Sequence, residues 1–207
     1  MKKSIAILAV LSLVAFAGQI AVDLGPVGNG DGDWLNYDDG SPKWLTWGGK
    51  YRGTWFNVQD FFPSETNGWL EQSRLWFYHH ASYPWDTSDF YVEIWNGDVS
   101  SPMTQLDQQT ATALHYAPVY VDYSHLDVEQ NFWCLANTEL SSGGWPSILG
   151  DGQNPDPSGI DHSYFSDDFI VWEPWNINGA CFYFIAVNWN EPNALDNTTW
   201  GSLKATF

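Results

Sequence analysis

Apolar and polar residues alternate with a period of two in short blocks along most of this chain. In residues 90–95, Phe90, Val92 and Ile94 fall on one side and Tyr91, Glu93 and Trp95 on the other. Residues 52–58 put Thr54, Phe56 and Val58 on a common face. Residues 74–79, 119–123, 132–136 and 169–172 read as further strands, and 180–189, the longest and most apolar block, reads as a central strand covered on both faces. β-branched and aromatic residues dominate these blocks, as a pleated, half-buried surface requires. Between them lie turn formers: Asn96-Gly97-Asp98, Ser142-Gly143-Gly144, and residues 150–159 with two prolines. The nearest approach to an amphipathic helix, residues 105–114, is short and Thr-rich. Strands without helical interleaving predict an all-β fold, an antiparallel two-sheet β-sandwich of jelly-roll-like form.

The chain's start breaks this pattern. Lys2 and Lys3 precede an almost wholly apolar stretch over residues 5–16, and Ala15-Phe16-Ala17 offers the small residues that signal peptidase accepts. A stretch of about a dozen residues is short for a spanning helix, which needs about 20. The expected division is therefore a signal peptide over 1–17, a small, Gly-rich leader over 18–32, a β-sandwich domain over 33–190, and a linker with a C-terminal tail over 191–207. Residues 199–207 read either as a sorting or docking signal or as a frayed last strand.

Cleavage after Ala17 leaves five basic residues against 25 acidic ones, a formal charge of −20. That charge argues against nucleic acid or an anionic membrane as a partner, since both need Lys and Arg to displace counterions. It suits a solvated surface, divalent cations or neutral glycans. Aromatic residues make up 17% of the chain and charged residues only 15%, which excludes a disordered polar chain. The two cysteines, Cys134 and Cys181, both fall in strand-like blocks. Export permits a disulfide between them, and two buried free thiols are the alternative.

Candidate chemistry falls into three groups. Asp31, Asp33, Asp38 and Asp39 lie in Gly-rich turns at spacings that suit a calcium loop, but no Glu stands at the twelfth position, so this is not an EF-hand. A second acidic stretch covers 151–161, and turn formation alone is the competing explanation for both. His79, His80, His115, His125 and His162 are scattered, and no zinc motif is present. No G-x-S-x-G elbow occurs, and Asp89, Glu93 and Asp122 are strand-borne acids that would line either a groove or an outward polar face. Trp44, Trp47, Trp69, Trp85, Trp145 and Trp175 sit at or near turns, where exposed rings would stack on sugars or on another protein, and buried ones would cap the sandwich ends.

The segment WLNYDDGSPKWLTWGGKYRG over residues 34–53, with the strands at 75–78 and 90–95 and the final strand to Trp189, resembles secreted bacterial β-sandwich modules. Such modules occur in surface and sorted proteins of the Bacteroidetes and related phyla. The resemblance implies an extracytoplasmic, non-catalytic protein, and it assigns no catalytic residue. The expectation is thus a secreted or cell-surface protein that binds glycan or other surface proteins, or builds surface structure. Its alternatives are a carbohydrate-binding module using turn-borne Trp and a glycoside hydrolase or lyase on a jelly roll. No cofactor is implied beyond calcium.

Overall fold

The computed structural model describes residues 19–21, 34–46, 49–151, 160–176 and 182–191. The expected signal peptide, most of the leader, and the tail over 192–207 lie outside the described residues.

The described chain is built from antiparallel strands, with a single 3-10 turn at Val58–Asp60 and no α-helix. Strands β2 (Trp34–Leu35), β5 (Asn67–Trp76), β8 (Pro118–Glu129) and β13 (Ile185–Asn190) form one sheet in the order β2-β13-β5-β8. Strands β4 (Tyr51–Asn57), β6 (Asp89–Asp98), β7 (Ser101–Thr112), β9 (Asn131–Asn137), β11 (Ser163–Ser166) and β12 (Glu173–Pro174) form a second, in the order β12-β11-β4-β9-β6-β7. A small third sheet pairs β3 (Trp44–Thr46) with β1 (Gln19–Ala21) and β10 (Ile148–Gly150). With the small sheet and the β11–β12 extension set aside, the strand orders β2-β13-β5-β8 and β4-β9-β6-β7 are those of a jelly roll, two interlocked Greek keys. The predicted sandwich is therefore present, with a third small sheet added.

Alternation builds the core. Phe90, Val92 and Ile94 of β6, Phe56 of β4 and Phe132 of β9 point inward and meet Leu75, Val121 and Ile185 of the facing sheet. Phe56 and Phe132 stack at 5.2 Å between ring centroids. Cys134 lies in the same core as a free thiol, pushed up to about 12 by burial, and Cys181 lies outside the described residues. Arg52 is also buried on β4. Its guanidinium donates to the Thr46 carbonyl and, at 3.1 Å, to Thr138 Oγ1, tying the small sheet to the end of β9. Burial lowers its pKa to about 10.

The outward face of the larger sheet is covered as well. Trp55, Trp133, Leu135 and Tyr164 form a second buried cluster, against which Trp95, Phe169 and Trp172 pack. Residues 160–176 supply that cover, and here one expected strand is overturned. Residues 169–172 are a bend, not a strand: Asp168 Oδ1 accepts the amides of Ile170 at 2.8 Å and Val171 at 3.0 Å, and Phe169 adopts a φ of 64°. The Asp side chain takes the amides that a ladder would have used. Ile170 and Val171 are consequently exposed. The expected strand over 180–189 is described as a strand only from Ile185. Of residues 105–114, the part up to Thr112 belongs to β7, a strand.

Two substitutions separate core from surface. Phe132→Ala is expected to lower unfolding free energy by about 3–5 kcal/mol, through lost burial and a residual cavity. Val171→Ala is expected to stay within about 0.5 kcal/mol, as an exposed site does. Chemical denaturation measures both, and equal losses would contradict the placement of Val171 on the solvent side of this segment.

Candidate functional site

The loop from β5 to β6 and the loop from β9 to β10 meet at one end of the sandwich. The Asp86 amide donates to the Gly144 carbonyl at 2.8 Å. Asp86 Oδ2 accepts Ser142 N at 2.5 Å, Ser142 Oγ at 2.7 Å and Gly143 N at 3.0 Å. These hydrogen bonds, the Ser142 hydroxyl first among them, hold the Asp86 carboxyl well below the usual carboxylate range. The loops approach so closely at Gly144 that a Cβ there would lie 2.3 Å from the Pro84 carbonyl oxygen. Only glycine fits such an approach.

Between the loops lies a cleft of about 570 Å³, lined chiefly by Tyr83, Trp85, Asp86, Trp145 and Ser147. That volume falls in the range of small-ligand sites, roughly 300–1,000 Å³. Trp85 is braced by Phe77, edge-on at 6.4 Å, and by His79 at 4.9 Å. Trp145 is oriented by its indole N–H, which donates to the Ser141 carbonyl at 3.3 Å. Tyr83 is 38% exposed at the rim. Ser147 is 0% exposed, and its backbone is fixed by the Tyr78 amide at 3.0 Å. Its hydroxyl has no hydrogen-bond partner among the described residues, and neither does the buried indole N–H of Trp85. A buried polar group without a partner costs free energy, and a ligand that supplies the partner recovers it.

The structure thus brings together Trp85 and Trp145, 60 positions apart in the sequence, and separates the other predicted rings. Trp69 lies within β5, not at a turn, and stacks on His125 at 4.4 Å in a different recess. Trp44 opens β3 and packs against the main core. Trp175 is 1% exposed and stacks on Tyr183 at 4.7 Å, so it is a core residue with no face to offer a ligand. Trp47 lies outside the described residues. Sequence reasoning missed Tyr83 and Ser147. Tyr83 stands two residues before Trp85, and Ser147 two after Trp145, in the same loops; no residue pattern signals that Ser147 lacks a partner.

Of the acids expected to hold calcium, Asp31 and Asp33 lie outside the described residues. Asp38 is buried, and its Oδ1 accepts the Gly40 amide at 3.1 Å. Asp39 donates its amide to Asp151 Oδ2 at 3.1 Å, and Asp151 Oδ1 accepts the Phe182 amide at 2.9 Å. Among the described residues no three His, Cys, Asp or Glu side chains are placed to hold a metal ion. Burial pushes Asp38 up to about 6 and Asp151 up to about 7. His162, also buried, stacks between Tyr37 at 3.6 Å and Trp55 at 4.9 Å and is a core residue. Asp89 and Asp122 are exposed, whereas Glu93 is buried on the outward face of β6.

Asp38 and Asp151 make the fold respond to pH. Their folded-state pKa values stand above the ordinary 3.8, so between about pH 4 and pH 7 the native state holds more protons than the unfolded one. This contribution to stability falls as pH rises through that window. The unfolding midpoint is expected to be higher at about pH 5 than at about pH 8, and Asp38→Asn is expected to flatten the difference. A midpoint that drops on acidification over this window, in the native chain, would contradict the assignment.

A second expectation concerns the loop clamp. Asp86→Ala removes the acceptor for the Ser142 and Gly143 amides, so their hydrogen exchange should accelerate by roughly tenfold or more while core amides keep their rates. Unchanged exchange at both would show that the clamp does not hold the cleft. In comparisons with protein-family models, with curated proteins and with solved structures, no match to this chain was found, and its function is therefore read from its own geometry.

Proposed function

We propose that this chain is an exported, non-catalytic jelly-roll protein that binds a neutral glycan in the cleft between Trp85 and Trp145. The single observation that carries the reading is the pairing of aromatic walls with a buried, unpartnered hydroxyl. Trp85, Trp145 and Tyr83 line the cleft, and Ser147 Oγ lies buried with no partner among the described residues. Sugars present apolar ring faces and hydroxyl rims, and Trp, with its apolar body and polar handle, suits such a ligand. Among the described residues Asp86 is the one carboxylate lining the cleft, and its Oδ2 already accepts three hydrogen bonds. Among the described residues no basic side chain lines the cleft to pair with an anion, and the lone pairs of Asp86 Oδ2 are engaged by its own loops, which favours a neutral ligand.

Glycosidase chemistry at this cleft would need two carboxylates about 5 to 9.5 Å apart. Among the described residues Asp86 is the one such group at the cleft, which favours binding over hydrolysis. The Lys2-Lys3 start, the short apolar stretch and Ala15-Phe16-Ala17 support export, and an acidic, aromatic-rich chain suits an extracytoplasmic setting. No helix among the described residues is long and apolar enough to cross a membrane.

A glycan array with the protein beginning at Gly18 tests the reading, followed by calorimetric titration of whichever neutral oligosaccharide binds. Trp85→Ala and Trp145→Ala are each expected to weaken binding by several-fold to roughly tenfold, since one aromatic contact is worth about 0.5–1.5 kcal/mol. Trp69→Ala is expected to leave affinity unchanged. Silence across the array, or binding that survives both cleft substitutions, would overturn the proposal.

A further inference from the structure

A second recess lies on the outward face of the larger sheet, away from the Trp85–Trp145 cleft. It holds about 220 Å³ and is lined chiefly by Tyr51, Glu93, Trp95, Gln108, Glu139 and Phe169. Glu93 points outward by the alternation of β6, yet it is only 3% exposed. Its Oε1 accepts Asn137 Nδ2 at 2.7 Å and Gln108 Nε2 at 3.1 Å, and its Oε2 accepts Trp95 Nε1 at 2.8 Å. Glu139 is exposed at the rim, where its Oε2 accepts the Tyr51 hydroxyl at 3.2 Å. The Phe169 ring stands 4.8 Å from Trp95 and 4.9 Å from Tyr51. Phe169 reaches that place with a φ of 64°, in the left-handed region, set by the Asp168 bend. Such a conformation costs about 1–3 kcal/mol at a non-glycine residue and persists where the surroundings impose it.

Among the described residues the recess is lined by two carboxylates and no basic side chain. Neither Glu93 nor Glu139 pairs with a Lys, Arg or His side chain among the described residues. The three donors on Glu93 are all neutral. They fill lone pairs but leave the charge of a buried carboxylate uncompensated, and a buried charge is costly unless a counter-charge accompanies it. Both acids bear on one point: the Tyr51 phenol is raised by burial, then by Glu139, and also by Glu93. Aromatic faces attract cations through the ring quadrupole, most strongly where water is displaced. A hard metal ion takes six to eight oxygens, and among the described residues no three His, Cys, Asp or Glu side chains gather to hold one. Carboxylates with aromatic walls suit a cation that carries an apolar body.

We propose that the recess between Glu93 and Glu139, walled by Tyr51, Trp95 and Phe169, is a binding site for an organic ammonium group. This site is independent of the glycan reading and stands or falls without it. The formal charge of −18 adds a long-range field that draws cations toward the chain.

Calorimetric titration of the full chain with choline, and with the amide of Nα-acetyl-lysine, tests the proposal. Each is paired with a neutral counterpart: the choline isostere bearing a tert-butyl group in place of trimethylammonium, and the amide of Nα-acetyl-norleucine. At least one ammonium compound is expected to bind roughly tenfold or more tightly than its neutral counterpart, and to weaken as salt is added. Tighter binding of choline would point to a quaternary ammonium as the natural ligand, and tighter binding of the lysine amide to a primary amine. Glu139→Gln, at an exposed position, is expected to reduce affinity by several-fold with an unchanged unfolding midpoint. Glu93→Gln is expected to reduce it further; should that variant not fold, Glu139→Gln and Phe169→Ala carry the test. Equal binding of an ammonium compound and its neutral counterpart would overturn the proposal. So would undiminished affinity in Glu139→Gln, or the absence of binding by both ammonium compounds.

Discussion

The pleat of β6 is the constraint on which the rest depends. Successive side chains must leave a strand on opposite faces. Phe90, Val92 and Ile94 are therefore committed to the seam between the sheets, where they meet Phe56, Phe132 and the facing strands. Tyr91, Glu93 and Trp95 are committed by the same geometry to the other face. A one-residue slip of β6 against β9 would exchange the two sets, placing a carboxylate in the apolar seam. The register that makes the core thus also places Glu93 and Trp95 side by side under the cover of residues 160–176. The ends of the same strands set the Trp85–Trp145 cleft. β5 ends at Trp76 and β6 begins at Asp89, while β9 ends at Asn137 and β10 begins at Ile148, so the two intervening loops emerge at one end of the sandwich.

Charge is distributed in keeping with this scaffold. The acids outnumber the bases 25 to seven, and most can remain in water at little cost. Those that are buried have been given work by the fold. Asp38 and Asp151 accept backbone amides where the 34–46 segment meets the start of residues 182–191, and burial moves both upward to values near neutrality. Asp86 is the opposite case. Open to solvent and surrounded by donors, it is held ionised and clamps two loops. Arg52, the buried cation of β4, is served by a carbonyl and a hydroxyl. The same physics of donors and burial thus acts in opposite directions at these groups.

The all-β architecture was legible because alternation is a local signal wherever a strand has one apolar face. Strands β4, β6 and β9 were visible for that reason. β7 was not, since it is an edge strand rich in Thr and Gln: residues 103–105 are exposed in succession, and the half-buried positions that alternate beyond them include Asp107 and Gln109, so the sequence shows no apolar period. Residues 169–172 misled in the reverse direction: an apolar run looked like a buried strand, but Asp168 takes the amides and turns Ile170 and Val171 into solvent. Part of the cleft was legible too. Trp85 and Trp145 stood out as turn-borne rings, whereas their meeting, and the partnerless hydroxyl of Ser147, depend on contacts between distant loops. Trp175 carried the same local signature and is core, because its ring lies over Gly150, where an added Cβ would come within 2.1 Å of it. Glu93 read as an outward polar residue; it is buried there among Trp95, Gln108 and Asn137, which donate to it, beside the Phe169 ring.

The central claim is that a ligand enters between Trp85 and Trp145. Its most direct measurement is the indole region of a proton–nitrogen correlation spectrum, recorded as a bound neutral oligosaccharide is titrated in. Each Trp contributes one indole N–H signal there. The Trp85 and Trp145 signals should shift together with a common affinity, while those of Trp133 and Trp175 in the interior stay in place. Shifts centred on Trp69, or spread evenly over all the indoles, would contradict the account.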